Sequence, residues 1–266
     1  MKACIVASFF IAACPDTRVR CDEPAAPGHE WVVEYGNLGG DAYLWPPEHR
    51  TIGIAKLSGR KKSFVPLVGL KAPAGITSII LQGFEIGDAD MIAIAQWKDI
   101  ETLEIIDGKS VTDKGLKAIS RMPVLKNLAM RDTAITGEGV TALSGSKSLV
   151  DLTISSTVIP CRIRRICFKE LPSLERLTLN VEGVEAVELA NLPKLKEIIV
   201  FPTTLTSATV RGLDSLTELD FQNSLLKKLT VGSTPKLQTL DVRNTRMEKM
   251  EIYQLQLARP SVTIRR

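Results

Sequence analysis

The side chains that most often carry out catalysis are few in this chain and form no recognised pattern. His29 and His49 are the two histidines among the 266 residues. The sequence contains no Gly-x-Ser-x-Gly, no phosphate-binding loop, no His-Glu-x-x-His and no Cys-x-x-Cys. Carboxylates are plentiful, but Glu104, Asp220 and others like them are typical of a solvated surface. We therefore predict that the protein is not an enzyme and has no cofactor.

Two of the five cysteines, Cys161 and Cys167, lie well inside the chain. They are six residues apart, so neither a straight strand nor a helix brings their sulfur atoms within bonding distance. A disulfide would require the chain to fold back between them. We favour the alternative, two buried free thiols in a segment whose small apolar residues face inward. A zinc site is not expected, because no third or fourth ligand is nearby.

A short phrase recurs along most of the chain: an aliphatic residue, two others, an aliphatic, one other, an aliphatic. Its first positions are 24, 25, 24, 25, 21, 21 and 21 residues apart, which is the period of a repeat architecture. The eight copies are 76–81, 100–105, 125–130, 149–154, 174–179, 195–200, 216–221 and 237–242.

Each phrase predicts a short strand, because its last two aliphatic residues are two apart and point to the same side. One such strand buries half of itself and needs neighbours to cover it. We expect the strands to form one parallel sheet, with Leu103, Leu128, Leu152, Leu177, Ile198, Leu219 and Leu240 in one buried column.

The segments between the phrases differ in the two halves. Segments 88–97, 112–122 and 137–143 predict short helices, with Thr112 as the N-cap of the second. The 21-residue repeats have no room for a full helix, and their return segments alternate in polarity. Second strands are therefore predicted at 184–189, 205–210, 226–231 and 247–252.

These phrases resemble those of the leucine-rich repeat family, over roughly residues 76 to 264. The long repeats are similar to the ribonuclease-inhibitor-like and cysteine-containing types, often written "ITDxGL": here Val111–Leu116 and, with a departure at Glu138, Ile135–Val140. The later repeats resemble short bacterial ones. The resemblance implies an α/β solenoid, a right-handed coil with a parallel sheet on its concave face. Short helices would cover the convex side of the first half. Strand-like or extended return segments would cover the convex side of the second half.

A small hydroxyl often stands three residues beyond the phrase. The family commonly places such a side chain inward, where it satisfies backbone groups at the end of the strand. The alternative is that threonine simply tolerates turns. The recurrence favours the inward position for Thr133, Thr157, Thr203, Ser224 and Thr245.

The beginning of the chain resembles a bacterial secretory leader. Met1-Lys2 is followed by the apolar run 3–13, which is too short to span a bilayer. The run ends Ile11-Ala12-Ala13-Cys14, similar to a lipobox, in which the cysteine is lipidated. Ordinary cleavage further on, near Cys21, is one alternative, and a misassigned or cytosolic start is another. We expect export, to the periplasm, the cell surface or the extracellular space.

This divides the chain into a leader (1–21), a tether (22–30), an N-terminal cap region (31–75) and a repeat domain (76–266). The cap region is rich in aromatic residues, and 51–57 fits one more degenerate strand within it. A repeat array needs such a cap to cover its open end. The alternative is a binding patch for sugar or peptide formed by Trp31, Tyr43 and Trp45.

The positions that alternate with the buried aliphatics face outward and are mostly small and polar. The exceptions are apolar or basic, and such side chains carry interface energy disproportionately. Single exposed apolar residues are also normal, which is the alternative. Pro202 could turn Phe201 inward, and the basic run at 162–165 fits a solvated face. The predicted binding residues are Ile106, Arg131, Ile199, Phe201 and Arg243.

The net charge of +4 is too small to indicate nucleic acid as a partner. The resemblance implies an unidentified protein partner and a secreted or membrane-anchored scaffold, with membrane contact only through a lipid on Cys14. The alternative function is an envelope structural or glycan-binding protein that uses the aromatic cap region.

Overall fold

The computed structural model describes residues 42–44, 50–55, 67–83, 85–156, 163–181, 183–200 and 204–266. Within these ranges the fold is α/β, with many parallel strands and few short helices. In chain order the elements are β1 (Ala42–Leu44), β2 (Thr51–Ala55), β3 (Ser78–Gln82), α1 (Asp88–Ile94), β4 (Thr102–Ile106), α2 (Asp113–Ile119), β5 (Asn127–Arg131), α3 (Gly137–Thr141), β6 (Asp151–Ser156), β7 (Arg165–Lys169), β8 (Arg176–Val181), β9 (Ala186–Ala190), β10 (Glu197–Val200), β11 (Ser207–Arg211), β12 (Glu218–Asp220), β13 (Lys228–Val231), β14 (Thr239–Asp241), α4 (Lys249–Ala258) and β15 (Thr263–Arg265).

Eight strands form the long sheet, in the order β1-β2-β3-β4-β5-β6-β8-β10. All neighbours are parallel except β1, which pairs antiparallel with β2. The predicted strand at 51–57 is confirmed as β2. Equivalent positions of the phrases lie side by side: Leu103 opposite Leu128, and Leu128 opposite Leu152. Every residue of the predicted leucine column is buried.

The predicted single sheet is divided near its end. β12, β14 and β15 form a separate three-stranded sheet, the terminal sheet. β12 lies beside β10, but no hydrogen bond between described residues joins the two strands. Two of the terminal strands, β12 and β14, end at an aspartate side chain. Asp220 accepts a hydrogen bond from the Gln222 amide at 2.9 Å, and Asp241 accepts one from the Arg243 amide at 3.1 Å.

The three predicted helices are confirmed as α1, α2 and α3, and they cover the core on the side away from the long sheet. Thr112 is the N-cap of α2, as predicted, and its hydroxyl accepts a hydrogen bond from the Lys114 amide. The equivalent Thr136 caps α3.

Aspartate side chains link each helix to the next. The Asp88 carboxylate accepts hydrogen bonds from the Thr112 amide at 2.8 Å and from its hydroxyl at 2.6 Å. Asp113 does the same one repeat later, accepting from the Thr136 amide at 2.7 Å and from its hydroxyl at 2.6 Å. Each N-cap threonine is therefore itself held by the preceding repeat.

The glycine of the "ITDxGL" motif makes room for this aspartate. A Cβ added at Gly139 would lie 2.7 Å from the Asp113 Cγ. The third repeat has Gly137 where the motif has aspartate, so its departure from the motif lies there and not at Glu138. The element that packs next to α3 is the strand β7, not another helix. A Cβ at Gly137 would collide with the carbonyl oxygen of Arg165 at the start of that strand.

Return segments of the later repeats form a four-stranded parallel sheet, the opposite sheet, in the order β13-β11-β9-β7. The second strands predicted at 184–189, 205–210 and 226–231 are confirmed as β9, β11 and β13. Inward residues align across it, Phe168 beside Leu189 and Leu189 beside Val210. Cys167 lies between two inward residues, so it faces outward and is half-buried. The prediction that it is a buried thiol is wrong, and Cys161 lies outside the described residues.

The fourth predicted return strand, at 247–252, is wrong, because the chain forms helix α4 there. Residues 249–258 contain no glycine or proline and are mostly good helix formers, and the apolar spacing of 247–252 fits either structure. Because the chain forms a helix here, no strand of the described chain pairs with the free edge of β13. At that edge the Arg259 guanidinium donates a hydrogen bond to the Val231 carbonyl at 2.6 Å. The strand β15 follows the helix and pairs in parallel with β14.

The predicted inward hydroxyls are confirmed at two positions. The Ser224 hydroxyl is buried and donates to the Phe221 carbonyl at 2.7 Å, and the Thr245 hydroxyl donates to the Val242 carbonyl at 2.8 Å. Each bonds three residues back and closes the turn that follows the strand. Thr133 is half-buried, and Thr157 and Thr203 lie outside the described residues.

Replacement of Gly139 by alanine is expected to lower the free energy of unfolding by roughly 1–3 kcal/mol, because the added methyl displaces Asp113 from Thr136. Chemical denaturation of the single and double variants measures this. In an Asp113→Ala background the same substitution should be less destabilising. Glu138→Ala, a change at the exposed neighbour, is the control. If the losses in unfolding free energy caused by the Gly139 and Asp113 substitutions simply add in the double variant, the proposed coupling between these two residues is wrong.

Candidate binding surface

The outer face of the long sheet, defined here as the side pointing away from the core, carries two aligned columns of half-buried side chains. The alternation of each strand produces them, since residues two apart share a side. The first column is Ile80, Glu104, Ala129, Thr153, Thr178 and Ile199. The second, two residues further on, begins with Gln82, Ile106, Arg131 and Ser155.

The structure brings two of the five predicted binding residues together. Ile106 on β4 lies directly opposite Arg131 on β5, and both are half-buried. Ile199 is on the same face at the far edge, on β10. Three strand spacings separate β5 from β10, which corresponds to about 14 Å. The three residues therefore lie on one side of the long sheet, with small side chains between them.

Several predicted features lie outside the described residues. They include Phe201 and Cys14, the side chains of the aromatic cap patch, and the first arginine of the basic run. Arg164 and Arg165 are described and are exposed, and Arg164 pairs with Glu185. The hypotheses on Phe201 and Cys14 stay predictions.

Arg243 belongs to the terminal sheet and is committed to an ion pair. Its guanidinium donates to the Asp241 carboxylate through Nη2 at 2.6 Å and through Nε at 3.0 Å. Asp241 is only 1 % exposed, although it is at an outward position. These hydrogen bonds hold the pKa of Asp241 below its ordinary value. Arg243 therefore compensates a buried charge, and its geometry is that of a structural residue.

The burial of Glu104 was not predicted from the sequence. The residue is outward on β4, yet burial raises the pKa of its carboxyl above the ordinary value, and the charge of Arg131 offsets this only in part. Its neighbours across the sheet are Ile80 and Ala129, which offer no hydrogen-bond donor from their side chains. The sequence contained a signal for this: the positions equivalent to Glu104 in the preceding and the following phrase are both apolar.

The opposite sheet presents a charged cluster on its solvent side. Glu188 pairs with Lys169 at 3.3 Å and with Arg211 at 3.1 Å, and it lies 3.6 Å from the Cys167 sulfur. Burial, and next the charge of Glu188, raise the pKa of the Cys167 thiol. A raised pKa disfavours the reactive thiolate form of Cys167.

Helix α4 exposes an apolar side that the strand prediction for 247–252 concealed. Met250, Tyr253 and Leu257 are 62, 55 and 63 % exposed. They are three and four residues apart, so they share one side of the helix. Ile252 and Leu255 on the other side pack against the core.

In the part of the chain that the structure describes, no group of three or more His, Cys, Asp or Glu side chains is placed to hold a metal ion. None of the helices described is long and apolar enough to cross a membrane. No protein-family model matches the chain, and no curated protein matches it either.

Replacement of Asp241 by asparagine is expected to reduce stability at neutral pH by roughly 1.5–3 kcal/mol, because hydrogen bonds to a charged group are lost. A lowered carboxyl pKa contributes stability above the unfolded value, about 3.9, and this is lost as the pH falls through the folded value. The difference between wild type and Asp241→Asn should therefore be constant above about pH 5 and shrink below pH 4. Unfolding measured across this range tests it. Asp214→Asn, at an exposed aspartate, is the control, and a difference independent of pH would contradict the account.

Proposed function

We propose that the protein is a leucine-rich-repeat solenoid that binds another protein with the outer face of its long sheet and has no catalytic role. The agreement between repeat spacing and strand register supports this, since residues 24 or 25 apart lie side by side in the long sheet. In such a solenoid the outer face is the concave surface. A row of parallel strands there offers an extended surface to a partner.

The observation that carries the proposal is the Ile106–Arg131 pair. An aliphatic and a guanidinium side chain lie in register, half-buried, with the short side chains of Ala129, Thr153 and Ser155 beside them. Arginine is one of the residues that dominate the energy of protein interfaces, an apolar side chain on the surface such as Ile106 gains from being covered, and short polar neighbours mainly exclude water. Ile199 and the predicted Phe201 would extend this surface along the sheet. Arg243, tied to Asp241, contributes less.

We also propose that the protein is exported, and that it is either secreted or held at the membrane by a lipid on Cys14. The support is the sequence of the first fourteen residues, where one lysine precedes an apolar run that ends in Ala-Ala-Cys. An exported scaffold would meet its partner in the cell envelope or outside the cell.

The binding proposal is tested by placing a long charged side chain on each of two comparable threonines. Thr178 is half-buried on the outer face, on β8, the strand beside the edge strand β10, and Thr209 is half-buried on β11, an inner strand of the opposite sheet. Capture of envelope proteins by Thr178→Arg should fall at least tenfold, whereas Thr209→Arg should capture as wild type does. Unchanged melting temperatures verify folding. Equal capture by both variants, or a loss confined to Thr209→Arg, would contradict the proposal.

The export proposal predicts that the mature protein from a bacterial host lacks Met1 when its N-terminus is sequenced. Lipidation predicts that labelling with a fatty acid disappears in Cys14→Ser. A cleaved but unlabelled protein indicates ordinary secretion. An intact Met1 in the soluble cytosolic fraction would exclude both forms of export.

A further inference from the structure

Four side chains on two neighbouring strands form a small site at one end of the outer face. Ile80 and Gln82 are on β3, and Glu104 and Ile106 are on β4. Ile80 lies opposite Glu104, and Gln82 lies opposite Ile106. The two polar side chains are therefore diagonal neighbours, and the two isoleucines occupy the other diagonal. All four are half-buried.

Within the described ranges, no residue donates a hydrogen bond to the acceptor oxygens of the two polar side chains of this site. The Gln82 Oε1 atom is buried and accepts no hydrogen bond from any residue that the structure describes. Among the described residues, no hydrogen bond or ion pair reaches the Glu104 carboxylate. Burial raises its pKa, and the charge of Arg131 on the next strand lowers the pKa without reversing that effect. Two desolvated acceptors without donors are costly in a folded protein, and such groups call for an explanation.

We propose that this site receives an arginine side chain of the protein partner, with the guanidinium donating to Glu104 and, once the Gln82 side chain has turned its Oε1 atom toward the partner, to Gln82. The inference rests on the proposed function and adds the chemistry that the partner must present. A guanidinium has five N–H donors in a rigid plane, so it can serve two acceptors on adjacent strands at once. It is more weakly hydrated than an ammonium group, which suits a site with Ile80 and Ile106 as its walls.

The position of the site agrees with this occupant. Ile106 is shared with the Ile106–Arg131 pair, so an arginine bound here would lie next to the surface proposed for the partner's apolar contacts. Arg131 lies one strand away from Glu104 and acts on its carboxylate through charge. No hydrogen bond between these two described side chains is formed. The carboxylate therefore keeps its capacity for a bidentate hydrogen bond to a second guanidinium.

The test uses phage-displayed random peptides selected on the immobilised wild-type protein. Selected peptides are then measured against Glu104→Gln, Gln82→Leu and Thr178→Arg. Glu197→Gln changes an exposed carboxylate on β10 of the same face and is the matched control. In a synthetic copy of each peptide, citrulline replaces arginine, which removes the charge and keeps the shape.

We expect peptides that lose at least tenfold in affinity for Thr178→Arg, for Glu104→Gln and for Gln82→Leu, but not for Glu197→Gln. Citrulline should cause the same loss on wild type and little further loss on Glu104→Gln. The melting temperature of Glu104→Gln should not fall, because a desolvated charge is removed. Peptides that Thr178→Arg excludes but Glu104→Gln retains, or that contain no arginine, would overturn the arginine site and leave the proposed function intact. Failure to obtain any peptide that Thr178→Arg excludes would count against both.

Discussion

The structure depends on in-register parallel pairing of strands that each bury one side. A strand of this kind places Leu128 in the core and Ala129 outside, and a slip of one residue would exchange the two. Equivalent positions of successive repeats therefore have to lie side by side. The same constraint aligns the outward residues into columns, so the repeats that build the core also arrange the outer face.

Repetition explains which parts of the fold the sequence predicts well. Each phrase is a separate instance of one pattern, and the strands and the leucine column follow from it. The three helices follow from the segments between the phrases. The N-cap at Thr112 was predictable from residue type alone. The aspartate that holds it, Asp88, was not, because this contact joins residues 24 apart and depends on a glycine whose role appears only between stacked helices.

The predictions failed where the pattern ends or where a neighbour decides the outcome. Residues 247–252 match the strand phrase and a helix equally well, and β13 is the last strand of the opposite sheet, so no further strand determines the choice. Cys167 was assigned inward from its apolar character. Its neighbours Ile166 and Phe168 both point into the core, and the alternation of strand β7 therefore turns Cys167 outward. The desolvation of Glu104 depends on what surrounds it across three strands, which a single phrase does not contain.

The central claim is that the partner covers the outer face of the long sheet. Hydroxyl-radical footprinting of the protein, alone and with a partner captured from the envelope fraction, measures this directly. The account predicts that oxidation of Ile80, Ile106 and Ile199 falls in the complex, while that of Met250 and Tyr253 on α4 is unchanged. Protection of the α4 residues with no change at the three isoleucines would contradict it.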